Sequence, residues 1–472
     1  MIILGTNSIK DTGGYQVANS CRFDDGDGAY LEETASANSG EDNASLSFWF
    51  KLGNIKTANN GGNIMVLGGT TGYSVLQIYA NKIYIGSDSF SVMYPNLVRD
   101  PSAWYHLFIA FDSTQGTDTN RVKPYLNGIL LENVTGSTDY PAQNENLNLR
   151  KNGTATRIGS RGNSGDEAFD GYLAEFHFLD GVTKAHTDFG EFDEDSGIWK
   201  PKEYTDGSYG TNGFYLDFED SSALGNDAAG SNNFSVTNLA ATDQSTDTCT
   251  NNFATMNPLD NFIASATFTE GNTTTAITST SIETYNLSTI GVSSGKWYAE
   301  CKVETTSKNT HIGIVSEPSK STGDYVGIDA SGYGYAGGTV GVGNKWNNGS
   351  QTSYANNYTT NDIIGVAMDL DNNKIYFSKN GTFQNSGDPT SGSTGTGAAF
   401  TITASSSTPD GVYYFAGGKR SNDTVKLNWN FGSPSFAISS GNTDGDGYGN
   451  FEYAVPSGYF SLCTKNLAEY GG

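Results

Sequence analysis

The stretch IIGVAMDLDNNKIYFSKNGTF, residues 363–383, constrains the fold more than any other part of the chain. Its apolar side chains alternate with small or polar ones, the two-residue period of a β-strand. The run is cut at Asn372-Asn373 and again at Asn380-Gly381, dipeptides that accept the positive φ of tight hairpin turns. The spacing predicts two hairpins in succession, a meander. The same texture runs through the whole sequence. Of 472 residues, 59 are glycine, 27 tyrosine and 25 phenylalanine, which suits many short strands joined by tight turns. No long run carries a clear 3.6-residue period, so almost no helix is expected. The length allows roughly two to three domains with real cores.

After an N-terminal segment, 1–14, residues 15–185 read as one β-domain. ASLSFWFKLG (44–53) sets Leu46, Phe48 and Phe50 on one face and Ser45, Ser47 and Trp49 on the other. WYHLFIAFD (104–112) sets Tyr105, Leu107, Ile109 and Phe111 on one face, and KPYLNGILLE (123–132) is a hairpin closed at Asn127-Gly128. In GYLAEFHFLDG (171–181), alternation opposes Ala174, Phe176 and Phe178 to Leu173, Glu175, His177 and Leu179. Strands of this kind predict two antiparallel sheets packed face to face. Residues 186–262, aromatic at first and then polar and turn-rich, read as an ordered connector with one strand at Phe214–Phe218. Residues 263–432 read as a second sandwich and 433–472 as a C-terminal segment. LFIAFD…KPYLNGILL in the first domain echoes IIGVAMD…KIYFSKNGTF in the second, which predicts two related sandwiches in tandem.

The formal net charge is −25. Phosphate binding requires a basic patch, so nucleic acid is not expected as a partner, nor is an anionic membrane surface. MIIL at the start is apolar for four residues only, with no basic region and apolar core of leader length after it, so no signal peptide is expected. No segment is long enough to predict a membrane span, so no membrane insertion is expected. Cys21, Cys249, Cys301 and Cys463 are scattered without a CxxC pair. They predict neither a zinc site nor a disulfide framework, but free thiols in a reducing cytoplasm.

GKWYAECKVE (295–304), HIGIV (311–315), NDIIGVAMDLDNNKIYFSKNG (361–381) and VKLNWNFG (425–432) occur in the order of the SPRY family, and the second domain resembles its jelly-roll sandwiches. Through LSFWFK, WYHLFIAFD, YLNG and GYLAEFHFLDG the first domain resembles laminin G-like, concanavalin A-type sandwiches. ANSCRFDDGDGAYL, DFGEFDEDSGIWKPKEY, YGTNGFYLDFED, TNNFATMNPLD and VPSGYFSLCTKNL resemble structural proteins of bacteriophages, marine ones especially. Cys249 stands where such relatives are expected to carry proline, and many are expected to continue past LCTKNL. The fold expected is all-β, two tandem concanavalin A-like jelly-roll β-sandwiches with an ordered connector and a short C-terminal segment. The resemblance implies a virion protein assembled in the cytoplasm of a bacterial host.

Residues able to do chemistry are few. EFDED (191–195) is similar to the Glu-x-Asp-x-Glu pattern of some concanavalin A-type glycanases, but it ends in Asp195 and sits among Gly190, Ser196 and Gly197. A solvated acidic turn is expected there rather than a pair of carboxylates flanking a scissile bond. His106, His177, His186 and His311 stand near no nucleophile motif. In NTDGDGYGNFEY (442–453), Asn442, Asp444 and Asp446 fall at positions 1, 3 and 5 of an EF-hand-like loop, with Glu452 one position short of the glutamate expected at 12. Calcium and a plain Gly/Asp turn are the two readings of this loop. FDDGDG (23–28) is a second acidic turn.

In SGYGYAGGTVGVGNKWNNGSQTSYANNY (331–358), Tyr333, Tyr335, Trp346, Tyr354 and Tyr358 stand among small polar residues. Such rings suit sugar stacking or a protein contact; the other reading packs them on their own sandwich or on a neighbouring subunit. The expectation drawn from the whole sequence is a non-enzymatic virion surface protein, a tail fibre or spike-type adhesin recognising host surface glycans. The alternatives are a capsid decoration or head fibre protein and, in another class, a polysaccharide depolymerase. Other virion proteins are expected as partners, and a closed homo-oligomer, a trimer, as the assembly.

Overall fold

The computed structural model describes residues 14–38, 42–54, 62–67, 73–80, 82–87, 89–95, 98–132, 134, 139–161, 168–340 and 343–471. The N-terminal segment 1–14, with its MIIL, lies outside these residues apart from Gly14. The chain forms two compact units, one ending at Thr250 and one beginning at Asn251.

The first unit is a sandwich of two antiparallel sheets. One sheet runs Ile129–Leu130, Val122–Leu126, Trp104–Asp112, Asn43–Leu52, Gly171–Asp180, Ser20–Phe23 and Gln244–Ser245, with Phe214–Leu216 also paired to Gly171–Asp180. The other runs Ser235–Thr237, Tyr30–Thr34, Ala155–Ile158, Asn63–Leu67, Tyr73–Tyr79, Lys82–Gly86 and Ser91–Tyr94. Leu46, Phe48, Phe50, Leu107, Ile109 and Phe111 enter the core between the sheets, as alternation predicts. The strand Gly171–Asp180 departs from the expected faces. Leu173, Phe176 and Phe178 point into the core, while Ala174 and Leu179 belong to clusters on the opposite face. The cause is a β-bulge: the register to Asn43–Leu52 shifts between Ala174 and His177, and Glu175 takes φ +50°. One extra residue exchanges the faces on its two sides.

Most of the segment read as a connector, 186–262, belongs to the first unit, which runs to Thr250. Its strands Phe214–Leu216, Ser235–Thr237 and Gln244–Ser245 pair with Gly171–Asp180, Tyr30–Thr34 and Ser20–Phe23 of the first unit. The aromatics that marked it as ordered cover the back of the first sheet: Phe189 packs with Phe108 and Leu179, and Trp199 with Trp49, Trp104 and Cys249. Residues from Asn251 onward belong to the second unit. The end of the wrap is fixed by charge. Lys51 Nζ lies 2.7 Å from Asp247 Oδ2, both side chains 1% exposed, and Trp104 donates its indole N–H to Asp247 Oδ1 at 2.9 Å.

The second unit is also a two-sheet sandwich. One sheet runs Thr267–Thr269, Thr274–Ile277, Val425–Asn430, Lys296–Thr305, Ile363–Asp369, Lys374–Lys379 and Thr382–Phe383; the other runs Thr284–Leu287, Tyr414–Lys419, Thr310–Val315, Tyr333–Gly337, Asn344–Asn347 and Ser350–Ser353. The predicted meander is present, with a longer loop at Leu370–Asn373 and a two-residue turn at Asn380-Gly381, both residues at positive φ. The C-terminal segment joins this unit. Phe460–Ser461 runs parallel to Lys296–Thr305, followed by the helix Thr464–Tyr470. Glu300, buried on that central strand, accepts the backbone N–H groups of Glu452 at 2.9 Å and Tyr453 at 2.8 Å. Burial pushes its pKa up to about 7, against the pull of those two N–H groups.

Removing one partner of a buried ion pair leaves the other charge without compensation. Asp247→Ala should therefore lower the stability of the first unit by about 3–5 kcal/mol, measured by urea unfolding. The apolar double exchange Lys51→Met with Asp247→Leu should recover most of that loss.

Candidate functional site

Of the five aromatic residues expected to form a ligand platform, four are buried and Tyr354 is partly buried. Tyr333, Tyr335 and Tyr358 are 3%, 0% and 0% exposed and belong to the core between the sheets of the second unit. The Tyr358 hydroxyl lies 2.8 and 2.9 Å from the carbonyls of Thr310 and Tyr335, which share its one proton. Tyr354 packs against the same core, edge-on to Tyr335. Trp346 is 4% exposed, against Tyr325 and Ala336, with the Arg420 guanidinium 4.5 Å above its ring. The small residues between the rings gave the segment the texture of a surface loop, yet they serve close packing. A Cβ at Gly337 would lie 2.4 Å from the Tyr358 ring.

The acidic loop 442–453 is an internal fastening. Asn442 pairs with Phe451 through both backbone groups, closing a small hairpin. Asp444 is buried, and its Oδ1 accepts the N–H groups of Asp446 and Tyr448 at 3.0 and 2.9 Å. Its Oδ2 accepts from Ser461 N, Ser461 Oγ and Asn466 Nδ2 at 2.9, 2.7 and 2.8 Å. Glu452 is turned to Ser439, accepting its N–H at 2.7 Å. Among the described residues no three acidic, His or Cys side chains are grouped to hold a metal. The carboxylates of Asp444 and Glu452 are used by protein donors instead. In EFDED, Asp193 shapes a turn: it accepts the N–H and hydroxyl of Ser196, which hold its pKa down at about 2. Glu191 and Asp193 both face Lys200.

Two of the histidines, His106 and His311, are fully buried. The Trp199 indole N–H donates to His106 Nδ1 at 3.0 Å, so the proton sits on Nε2, 2.9 Å from Ser47 Oγ. Burial lowers the pKa of His106 to about 3 and that of His311 to about 4. His311 spans Val326 O and Asn309 Oδ1 at 2.8 and 3.0 Å. All four cysteines are buried free thiols.

A cluster that sequence reasoning missed lies on the back of the first sheet of the first unit. The bulge at Glu175 turns its carboxylate to the hydroxyls of Tyr15 at 2.9 Å and Tyr215 at 2.8 Å. His177 Nε2 is 3.5 Å from Glu175, and its Nδ1 is 2.8 Å from the Tyr209 hydroxyl. Its ring stacks on Tyr215 at 4.1 Å. Sequence showed Glu175 and His177 two apart on one strand; their tyrosine partners, 160 and 40 residues from Glu175 and 32 from His177, carry no local signal. Beside this cluster a cleft of about 480 Å³ opens between segments 207–213 and 229–232, and Tyr209 lines it.

Residues 24–187 match the family described as the Concanavalin A-like lectin/glucanases superfamily. Residues 296–415 match the SPRY domain family. The chain therefore carries a laminin G-like, concanavalin A-like domain followed by a SPRY domain, as the sequence resemblances indicated. The crystal structure of the SPRY domain of human HERC1 is similar to 33% of this chain over 86% of its own length, with 20% identity and a TM-score of 0.26. No curated protein matches. The SPRY match ends before Val425–Asn430, which nonetheless lies inside the same sheet.

Because Trp346 is a packing residue, Trp346→Ala should act on stability. The second unit should lose about 3–5 kcal/mol in urea unfolding, with no change specific to any ligand.

Proposed function

We propose that the chain is a non-catalytic surface protein of a bacteriophage virion, a tail fibre or spike-type adhesin that recognises host surface glycans. One observation supports the binding half of this reading: the open cleft of the first unit has Ser208, Thr211, Ser231 and Asn232 in its lining, polar groups able to bond a ligand's hydroxyls. The acidic and imidazole groups singled out by sequence are occupied in holding turns and strands, which supports a role without chemistry. The virion half rests on the resemblance of the segments flanking both sandwiches to phage structural proteins. A closed homo-oligomer, a trimer, and other virion proteins as neighbours belong to the same reading.

Capsid decoration or a head fibre is the second reading. The side chains of Leu259 and Phe262, exposed at 62% and 74% in the second unit, favour it, since apolar side chains in water suit a contact with another virion protein. Gold-tagged antibody against the protein, applied to intact virions, separates the two. Label at the tail is the expected result, and label over the head selects decoration. Virions that carry no label overturn both.

A further inference from the structure

The pair of Lys51 and Asp247 is shut away from water on both sides. Nζ lies 2.7 Å from Oδ2, and each side chain is 1% exposed. In the other lysine–carboxylate pairs described, the lysine side chain is 22–60% exposed. The second carboxylate oxygen, Oδ1, accepts the indole N–H of Trp104 at 2.9 Å. We propose that Lys51 and Asp247 condense to an intramolecular amide, a covalent cross-link between the strand Asn43–Leu52 and the end of the trailing segment. The step balances within the pair. One proton of the Lys51 ammonium passes to Oδ2, which frees the Nζ lone pair to attack Cγ. A second proton follows as the Cγ–Oδ2 bond breaks and Oδ2 leaves as water; the third stays on the amide nitrogen. Nothing is oxidised or reduced, and no co-reactant takes part.

The surroundings favour the step. Away from water, separate ions lose ground to a neutral amine and a neutral acid, and the amine is the nucleophile. The two groups are held in place, so no encounter has to be waited for. Ser20 Oγ donates to the Asp247 carbonyl at 2.6 Å, and the Asp247 N–H donates to Ser245 Oγ at 3.1 Å. Lys51 is fixed in the register of its strand opposite Tyr172, whose ring lies 5.6 Å from Nζ. The Trp104 N–H stands where negative charge gathers on Oδ1 as Nζ adds to Cγ, within the reach of an oxyanion donor. Trp104 and Tyr172 are both buried and keep bulk water from the pair. The bond closes a loop spanning 196 residues and fastens the wrap to the sheet. All four cysteines are free thiols, so no disulfide does this work.

Intact-mass spectrometry of the full-length protein, folded and then denatured, is the test. The expected mass is that of the sequence less one water. A tryptic digest should contain a branched peptide that joins residues 23–56 to residues 203–296. Lys51→Arg keeps the positive charge but has no amine to condense, and should show the full mass and no branched peptide. Full sequence mass in the parent protein overturns the proposal and leaves the pair ionic, whether or not the variant folds. So does a lost water without the branched peptide, the signature of a succinimide at an Asp-Gly turn. In condensed chains, Lys51→Met with Asp247→Leu removes the buried charges but also the closed loop, so its recovery of stability in urea should then be partial.

Discussion

Buried carboxylates hold each sandwich to the chain that follows it. Asp247 joins Lys51 and Trp104 in the first unit; Glu300 and Asp444 receive residues 452–453, Ser461 and Asn466 in the second. An ionised oxygen away from water is tolerable only when donors surround it. Lys51 lies 196 residues from Asp247, and the N–H groups of Glu452 and Tyr453 lie 152 and 153 residues from Glu300, so these two carboxylates gain those donors only when the distant segment has docked. The strands and the segments that follow them therefore form single cooperative bodies rather than domains with tails.

This arrangement decides where function can reside. In the first unit the sheet back is covered by Phe189, Trp199, Tyr204 and Tyr215. The cleft is made of residues 207–213 and 229–232, outside the range 24–187 matched to the lectin-like superfamily.

Much of the fold was legible because its signals are local. Asn127-Gly128 and Asn380-Gly381 both take positive φ at their two turn residues, as side-chain chemistry alone dictates. Alternation placed Leu46, Phe48 and Phe50 correctly but failed across Gly171–Asp180, because a bulge has no signature in a run of apolar residues. The candidate platform around Tyr335 and Trp346 misled for a related reason. Glycine and alanine beside tyrosine mark either a loop or a strand under close approach, and only the neighbouring ring of Tyr358 decides between them. Asp444 was conspicuous among glycines as a metal ligand, yet its partners Ser461 and Asn466 lie beyond the loop. The meeting of Tyr15, Glu175, His177, Tyr209 and Tyr215 is wholly tertiary, and no spacing in the sequence announces it.

The integration of the trailing segments is the claim on which the rest stands, and native-state hydrogen exchange on the intact chain tests it directly. The amides of Tyr215 and Ser245 in the first unit, and of Glu452 and Ser461 in the second, should exchange with the protection of their sheet's central strands, Asn43–Leu52 and Lys296–Thr305. Exchange at those four amides far faster than in the central strands would show segments that open on their own. The two sandwiches would then be complete without them, and the cleft would lose its fixed walls.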